Sequence, residues 1–167
     1  MYKWIKNVFG KKQKSWYKRN YPKTVEEVLD DTIKYRQGTH DAIRKFKKSK
    51  PWHGEDAERK VKFLQLNADL AAVYEIEAPQ LIFVKRFEYG SCYWPKGNLI
   101  ILESETDGRY SVVTFLHEFG HALHKDEKDT CRWSINLFRL HFPKSYGKLV
   151  PKGHLLYRKG SVDVQEG

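Results

Sequence analysis

The chain has 167 residues, a length that suits one compact domain. Hydrophobic residues make up 40% of it and include five Trp, ten Tyr and nine Phe, which is enough apolar material for a core and excludes wholesale disorder. No stretch approaches the ~20 consecutive apolar residues of a membrane span, and we expect no secretory signal. Two cysteines, Cys92 and Cys131, are too few for a disulfide framework, so we expect reduced thiols in a cytoplasmic protein.

The net charge of +10 is concentrated at the N-terminus. Residues 1–25 contain eight Lys or Arg and no acidic residue, so the remaining 142 residues carry a net charge of only +2. We therefore divide the chain into a basic, aromatic arm at residues 1–23 and a single domain at residues 24–167. The arm is either a solvated tail or a contact for nucleic acid or an anionic lipid surface, since both are bound through cations and aromatic side chains.

Three helices are predicted in the first half of the domain. Thr24 and Glu27 have the spacing of a capping box, which predicts a helix that begins there and ends near Gly38. A second, short helix is predicted over residues 39–48. A longer one over residues 55–74 has apolar residues around much of its surface, which predicts that it is largely buried.

Short β-rich segments follow. Residues 81–84 form one strand, and residues 91–94 and 99–102 flank a Pro-Lys-Gly-Asn sequence that is typical of a hairpin turn. Together these segments predict a small antiparallel sheet of three strands.

Two further helices complete the predicted fold. One begins near Tyr110 and continues to about His124, and the last covers residues 127–141, before Pro143. Beyond it we expect irregular structure or one short strand. The fold class is therefore α+β, with a helical N-terminal half, the sheet, a helix that carries the chemical motif and a C-terminal helix.

The chemical motif is the pentapeptide that contains His117, Glu118 and His121. A spacing of four residues puts both imidazoles on one face of a helix, so that two nitrogens can bind one zinc ion at ~2.0–2.1 Å. Glu118 lies beside the metal, where a carboxylate can take a proton from zinc-bound water and pass it to a leaving amine. The pattern predicts a zinc-dependent hydrolase with Glu118 as the general base and one Zn²⁺ per chain.

The sequence His-Glu-Phe-Gly-His-Ala-Leu, which follows a strand-like segment at residues 98–102, resembles the zincin metallopeptidases. It is most similar to the small ImmA/IrrE-type, SprT-like and minimal gluzincin kinds, over residues 80–141. The resemblance implies a protein or peptide substrate. It also implies that the strand before the motif, at Asn98, Leu99 and Ile100, is an edge strand that binds substrate by antiparallel pairing.

A catalytic zinc site needs a third protein ligand, and we predict Glu127. Residues 127–134 resemble the glutamate helix of ImmA/IrrE-type peptidases, and Glu127 has the spacing of the third ligand in metzincins. Asp129 is the rival, because a shift of two residues in that alignment would select it. His124 lies about 10.5 Å along an ideal helix from His117, too far to share one ion.

Other roles stay open at this level. Tyr146, His154 and Tyr157 are candidates for stabilising the oxyanion, and Cys131 is expected in the core. The alternative function is a binding protein for nucleic acid or a membrane surface, with a basic arm and a structural or inert zinc site.

Overall fold

The computed structural model describes residues 21–104 and 109–158. Two helices lie in the N-terminal half of this part of the chain. Helix α1 covers Gln37–Lys48 and helix α2 covers Asp56–Tyr74, close to the predicted bounds. They pack through aromatic side chains, with the rings of Phe46 and Phe63 5.1 Å apart. Helix α2 ends where Glu75 adopts a left-handed conformation, with φ of 56°.

The prediction of a helix from Thr24 to Gly38 is wrong. A single 3₁₀ turn, Glu26–Val28, forms there instead. The side chain of Asn136 takes the backbone groups that a helix would have used, since its Nδ2 donates to the Val28 carbonyl at 2.8 Å and its Oδ1 accepts from the Asp30 N–H at 2.9 Å. A tertiary contact has therefore overridden the local capping signal.

The three-stranded sheet is mixed, which corrects the prediction of an antiparallel sheet. Strands β1 (Gln80–Val84), β2 (Cys92–Trp94) and β3 (Leu99–Glu103) lie in the order β1-β3-β2. The hairpin between β2 and β3 is antiparallel, as expected, but β1 and β3 are parallel. The reason is that the connection after β1 crosses to the far edge of the sheet, so that the returning β3 fits between its neighbours.

Helix α3 (Val112–Ala122) packs on the sheet and helix α4 (Glu127–His141), which has the predicted bounds, packs on α3. Each begins at a side-chain cap, because Ser111 Oγ accepts from the Thr114 N–H at 3.3 Å and Asp126 Oδ1 accepts from the Asp129 N–H at 2.8 Å. These two caps fix where the site-bearing helices start. The α+β class predicted from the sequence is confirmed.

The C-terminal part is more regular than expected. A short helix α5 (Pro143–Tyr146) is followed by β4 (Leu149–Lys152) and β5 (Leu155–Arg158), which form an antiparallel hairpin. Leu155 and Leu156 of this hairpin pack against a buried cluster that contains Val25, Val28 and residues of α4. Apolar contacts with the domain therefore order a segment for which the sequence predicted irregular structure or one short strand.

No helix among residues 21–104 and 109–158 is both long and apolar enough to cross a membrane. Residues 1–20 of the basic arm lie outside the described residues, and so does the prediction that they contact nucleic acid or an anionic surface.

Asn136 offers a test of how the N-terminal segment is held. Asn136→Ala leaves the Val28 carbonyl and the Asp30 N–H without their partner, and we expect a loss of about 2 kcal/mol or more in the free energy of unfolding. Urea denaturation measures it. The control is Gln65→Ala, which removes an exposed amide that bonds Asp69 and should stay within about 0.5 kcal/mol of the natural chain. Equal stability of the two variants would contradict this account.

Candidate metal centre

Helix α3 presents both histidines of the motif on one face. Phe115, Leu116 and Phe119 on this helix are fully buried, which fixes its rotation against the core. The rings of His117 and His121 have centroids 4.9 Å apart, as expected for residues one turn apart.

Gly120 brings helix α4 against helix α3. A Cβ at this position would lie 3.0 Å from Thr130 Cγ2 and 3.5 Å from Thr130 Cα, so the absence of a side chain permits the close approach. The chain reverses in four residues between the helices, and His124 adopts a left-handed conformation with φ of 58° in that turn. Glu127 at the start of α4 is thereby placed beside the two imidazoles.

The carboxylate of Glu127 contacts both histidines of the motif. Its Oε1 lies 3.4 Å from His117 Nε2, and its Oε2 lies 3.2 Å from His121 Nε2. All three side chains are largely enclosed, with exposed fractions of 13%, 16% and 8% for His117, His121 and Glu127. The residue chosen from the sequence is therefore the one that meets the histidine pair.

These atoms fit a small divalent metal ion. Ligands at 2.0–2.2 Å in a tetrahedral arrangement lie about 3.4 Å from one another, which matches the two contacts of Glu127. Imidazole nitrogens with a carboxylate oxygen are a donor set that suits zinc and several transition metals. Ligand atoms of His117, Glu127 and Cys131 all lie within 4.8 Å of one another, and His121 places its Nε2 3.2 Å from the second carboxylate oxygen of Glu127.

The far side of the His121 ring supports the same arrangement. His121 Nδ1 lies 3.4 Å from the Lys125 carbonyl and 3.3 Å from Thr130 Oγ1. A carbonyl only accepts, so this contact favours a proton on Nδ1; loss of the Nε2 proton that faces Glu127 would then leave Nε2 with a lone pair for a metal. Hydrogen bonds of this kind orient metal-ligating histidines.

Electrostatics keep the carboxylate charged and one imidazole neutral. Burial raises the pKa of Glu127, but the hydrogen bond from His121 and the charges of His117 and His154 outweigh burial and lower it to about 2. Burial lowers the pKa of His117 to about 4. For His121, burial acts in the same direction, but Glu127 and Glu118 outweigh it and raise the pKa. A charged carboxylate beside a neutral imidazole suits metal binding.

Glu118 lies behind the histidine pair, against strand β2. It is buried, and its Oε2 accepts a hydrogen bond of 2.7 Å from the Tyr93 N–H. Burial raises the pKa of Glu118 to about 8, while the nearby His121 and the Tyr93 N–H oppose that shift. This buried, basic carboxylate is close enough to His121 and Glu127 to interact with both electrostatically.

His154 also reaches the carboxylate of Glu127. It lies in the turn of the β4–β5 hairpin, and its Nε2 is 3.0 Å from Glu127 Oε1. Of the three residues predicted for oxyanion stabilisation, His154 is thus in polar contact with the cluster. Tyr146 instead packs against the apolar clusters, and Tyr157 on β5 is 37% exposed.

Cys131 is fully buried, as the sequence predicted for a core residue. Its Sγ also lies 3.6 Å from Glu127 Oε1 and 3.8 Å from His117 Nδ1. Burial raises the pKa of this thiol, which favours a neutral S–H that donates to Glu127. His117, Glu127 and Cys131 form a group able to hold a metal ion. The spacing of four residues between Glu127 and Cys131 was a signal for this contact, since it places both on one helix face.

The remaining candidate ligands lie on the surface. Asp129 and His124 are both exposed, and α3 ends at Ala122, so His124 has left the helical face that carries the motif. Neither residue is enclosed with the histidine pair.

The prediction of an edge strand at Asn98, Leu99 and Ile100 is wrong. Strand β3 is the central strand, with Ile100 paired to Leu81 of β1 on one side and to Tyr93 of β2 on the other. Its backbone groups are therefore used within the sheet, and a substrate strand has no room beside it. Asn98 precedes the strand in a left-handed conformation, with φ of 42°.

Comparison of the chain with models of known protein families, with curated proteins and with solved structures finds no significant match. Function is therefore inferred from the chemistry of the site.

The close approach at Gly120 can be tested directly. In Gly120→Ala the new Cβ meets Thr130 Cγ2 at 3.0 Å, and we expect a loss of about 1–3 kcal/mol in the free energy of unfolding from overpacking, despite the better helix propensity of Ala. The control is Gly147→Ala, where φ is −64° and the nearest atom is at 3.6 Å. Urea denaturation compares them, and equal stability would show that the helices do not need the glycine.

Proposed function

We propose that the protein is a zinc metallopeptidase that hydrolyses peptide bonds in a protein or peptide substrate. The observation that carries the proposal is the position of Glu127, whose carboxylate contacts the Nε2 atoms of His117 and His121 at 3.4 and 3.2 Å. Glu118, the residue between these histidines that a hydrolase would need as a base, is buried beside them.

His117, His121 and Glu127 would hold the metal. A zinc ion bound there supplies a Lewis acid and lowers the pKa of a water molecule to about 7. Glu118 accepts a proton from the attacking water as its oxygen bonds to the peptide carbonyl carbon. Glu118 then gives that proton to the amine as the C–N bond breaks, so no group of the chain is consumed.

The surroundings of Glu118 support this role. Burial raises its pKa to about 8, and a cation held by the neighbouring histidines would favour the ionised form that accepts a proton. The Tyr93 N–H holds one carboxylate oxygen at 2.7 Å and leaves the other for the transferred proton. Backbone and burial together therefore position and tune the base.

The metal content of purified protein tests the ligands. We expect about one zinc per chain in the natural protein, a loss of zinc in His121→Ala and a strong reduction in Glu127→Ala. Asp129→Ala is the matched control, because Asp129 lies two residues further along α4 but is exposed, and it should keep its zinc. Elemental analysis measures the metal, and circular dichroism verifies that each variant is folded. A natural protein that takes up no stoichiometric metal after zinc is added would overturn the proposal.

Hydrolysis tests the base. Glu118→Gln should keep its zinc but lose about 10²-fold or more of the rate of peptide cleavage, the usual contribution of a general base. The substrate is a mixture of unfolded proteins, and mass spectrometry detects the cleavage products. The substitution is made in the natural chain and in His154→Ala, because His154 contacts the proposed ligand Glu127. Absence of cleavage in both backgrounds when each holds zinc, or equal cleavage with Glu118→Gln, would refute the peptidase assignment.

A further inference from the structure

The turn of the β4–β5 hairpin lies beside the candidate metal centre. Lys152 pairs with Leu155, so Gly153 and His154 form a turn of two residues. Gly153 has φ of 62°, a conformation that glycine adopts readily in such turns. His154 is therefore at the tip of a tight hairpin, where its side chain has a defined position.

Contacts on both sides hold His154 in place. Its side chain is only 19% exposed, and its ring packs edge to face on Tyr21 with centroids 5.1 Å apart. The next two residues, Leu155 and Leu156, pack against the apolar cluster around Val25. An imidazole at a loop tip that is enclosed in this way is part of the site rather than a surface group.

His154 shares an oxygen with a residue of the motif. Glu127 Oε1 lies 3.0 Å from His154 Nε2 and 3.4 Å from His117 Nε2, while Oε2 lies 3.2 Å from His121 Nε2. Three imidazole nitrogens thus contact one carboxylate at 3.0–3.4 Å, two of them at Oε1 and one at Oε2. Two ligands of one tetrahedral zinc lie about 3.4 Å apart, so each contact with Glu127 has the length expected for a pair of ligands. Four protein ligands make a closed zinc site, whereas a catalytic site keeps one position open.

We propose that His154 is a fourth ligand of the metal, supplied by the β4–β5 hairpin, which closes the site to water and substrate until the hairpin moves away. The inference rests on the metal site of the proposed function and adds a resting, closed state to it. A hairpin of two short strands is marginally stable by itself, so its apolar contacts with the domain decide whether the site is closed or open.

Nuclear magnetic resonance of the natural chain tests the ligand directly. The imidazole nitrogens of ¹⁵N-labelled protein are recorded before and after one equivalent of zinc is added. We expect the Nε2 resonances of His117, His121 and His154 to move together to the position of metal-bound nitrogen, while that of the exposed His53 stays unchanged. A His154 Nε2 that keeps its proton when zinc is bound to the other two rings would overturn the proposal.

Substitution supplies a second measurement. We expect His154→Ala to bind zinc about 10-fold or more weakly and to bind acetohydroxamate, a small zinc ligand, more tightly than the natural chain does. The control is His53→Ala, which should match the natural chain in zinc affinity and in acetohydroxamate binding. Unchanged zinc affinity with unchanged hydroxamate binding would also refute the proposal.

The outcomes separate the two proposals. If the natural chain binds no zinc, the metal site itself fails. If zinc binds to His117 and His121 alone, the metal site stands and only the closing ligand is refuted. An imidazole that instead stabilises the oxyanion would lower peptide cleavage in His154→Ala without weakening zinc binding, and that result refutes the closing ligand too.

Discussion

The buried carboxylate of Glu127 is the constraint around which the site is built. A carboxylate that is only 8% exposed is costly to ionise unless partners compensate for the lost water. Here the partners are three imidazoles, from two positions on α3 and from the C-terminal hairpin, together with the thiol of Cys131. Glu127 lies on α4, two of the imidazoles lie on α3 and the third lies in the hairpin. The ionised carboxylate is therefore stabilised only when α3, α4 and the hairpin meet at one point. A bound metal ion would satisfy the same requirement more fully than hydrogen bonds between the side chains.

The rest of the fold gives this meeting point a rigid support. Strand β3 is central and its residues Ile100 and Leu102 are fully buried, so the sheet forms a stable platform for α3. Strand β2 adds the Tyr93 N–H that holds Glu118. Gly120 then sets the distance between α3 and α4, because any side chain there would displace Thr130. The sheet, the crossing of α3 and α4, and Glu118 are thus connected through a few short contacts.

The hairpin and the N-terminal segment form a second, smaller unit around the site. Val25 and Val28 pack with Cys131 and Ile135 of α4, and the hairpin leucines join them. Asn136 ties the backbone of the N-terminal segment to the same helix. The hairpin therefore rests on both clusters, since Leu155 packs on the smaller one, Leu149 on the main core and Leu156 on both.

The sequence by itself determined the helices whose apolar pattern and caps agree, and the α+β class. These follow from local rules, because periodicity and capping act within a few turns of one helix. The choice of Glu127 came instead from the resemblance of residues 127–134 to a glutamate helix and from the ligand spacing of metzincins. Tertiary structure decided the parallel pairing of β1 with β3, which made β3 central and removed the predicted edge at Asn98. It also replaced the helix predicted at Thr24, where Asn136, more than 100 residues away, binds the backbone. The contact of His154 with Glu127 belongs to the same group, since residues 27 positions apart meet only when the chain folds.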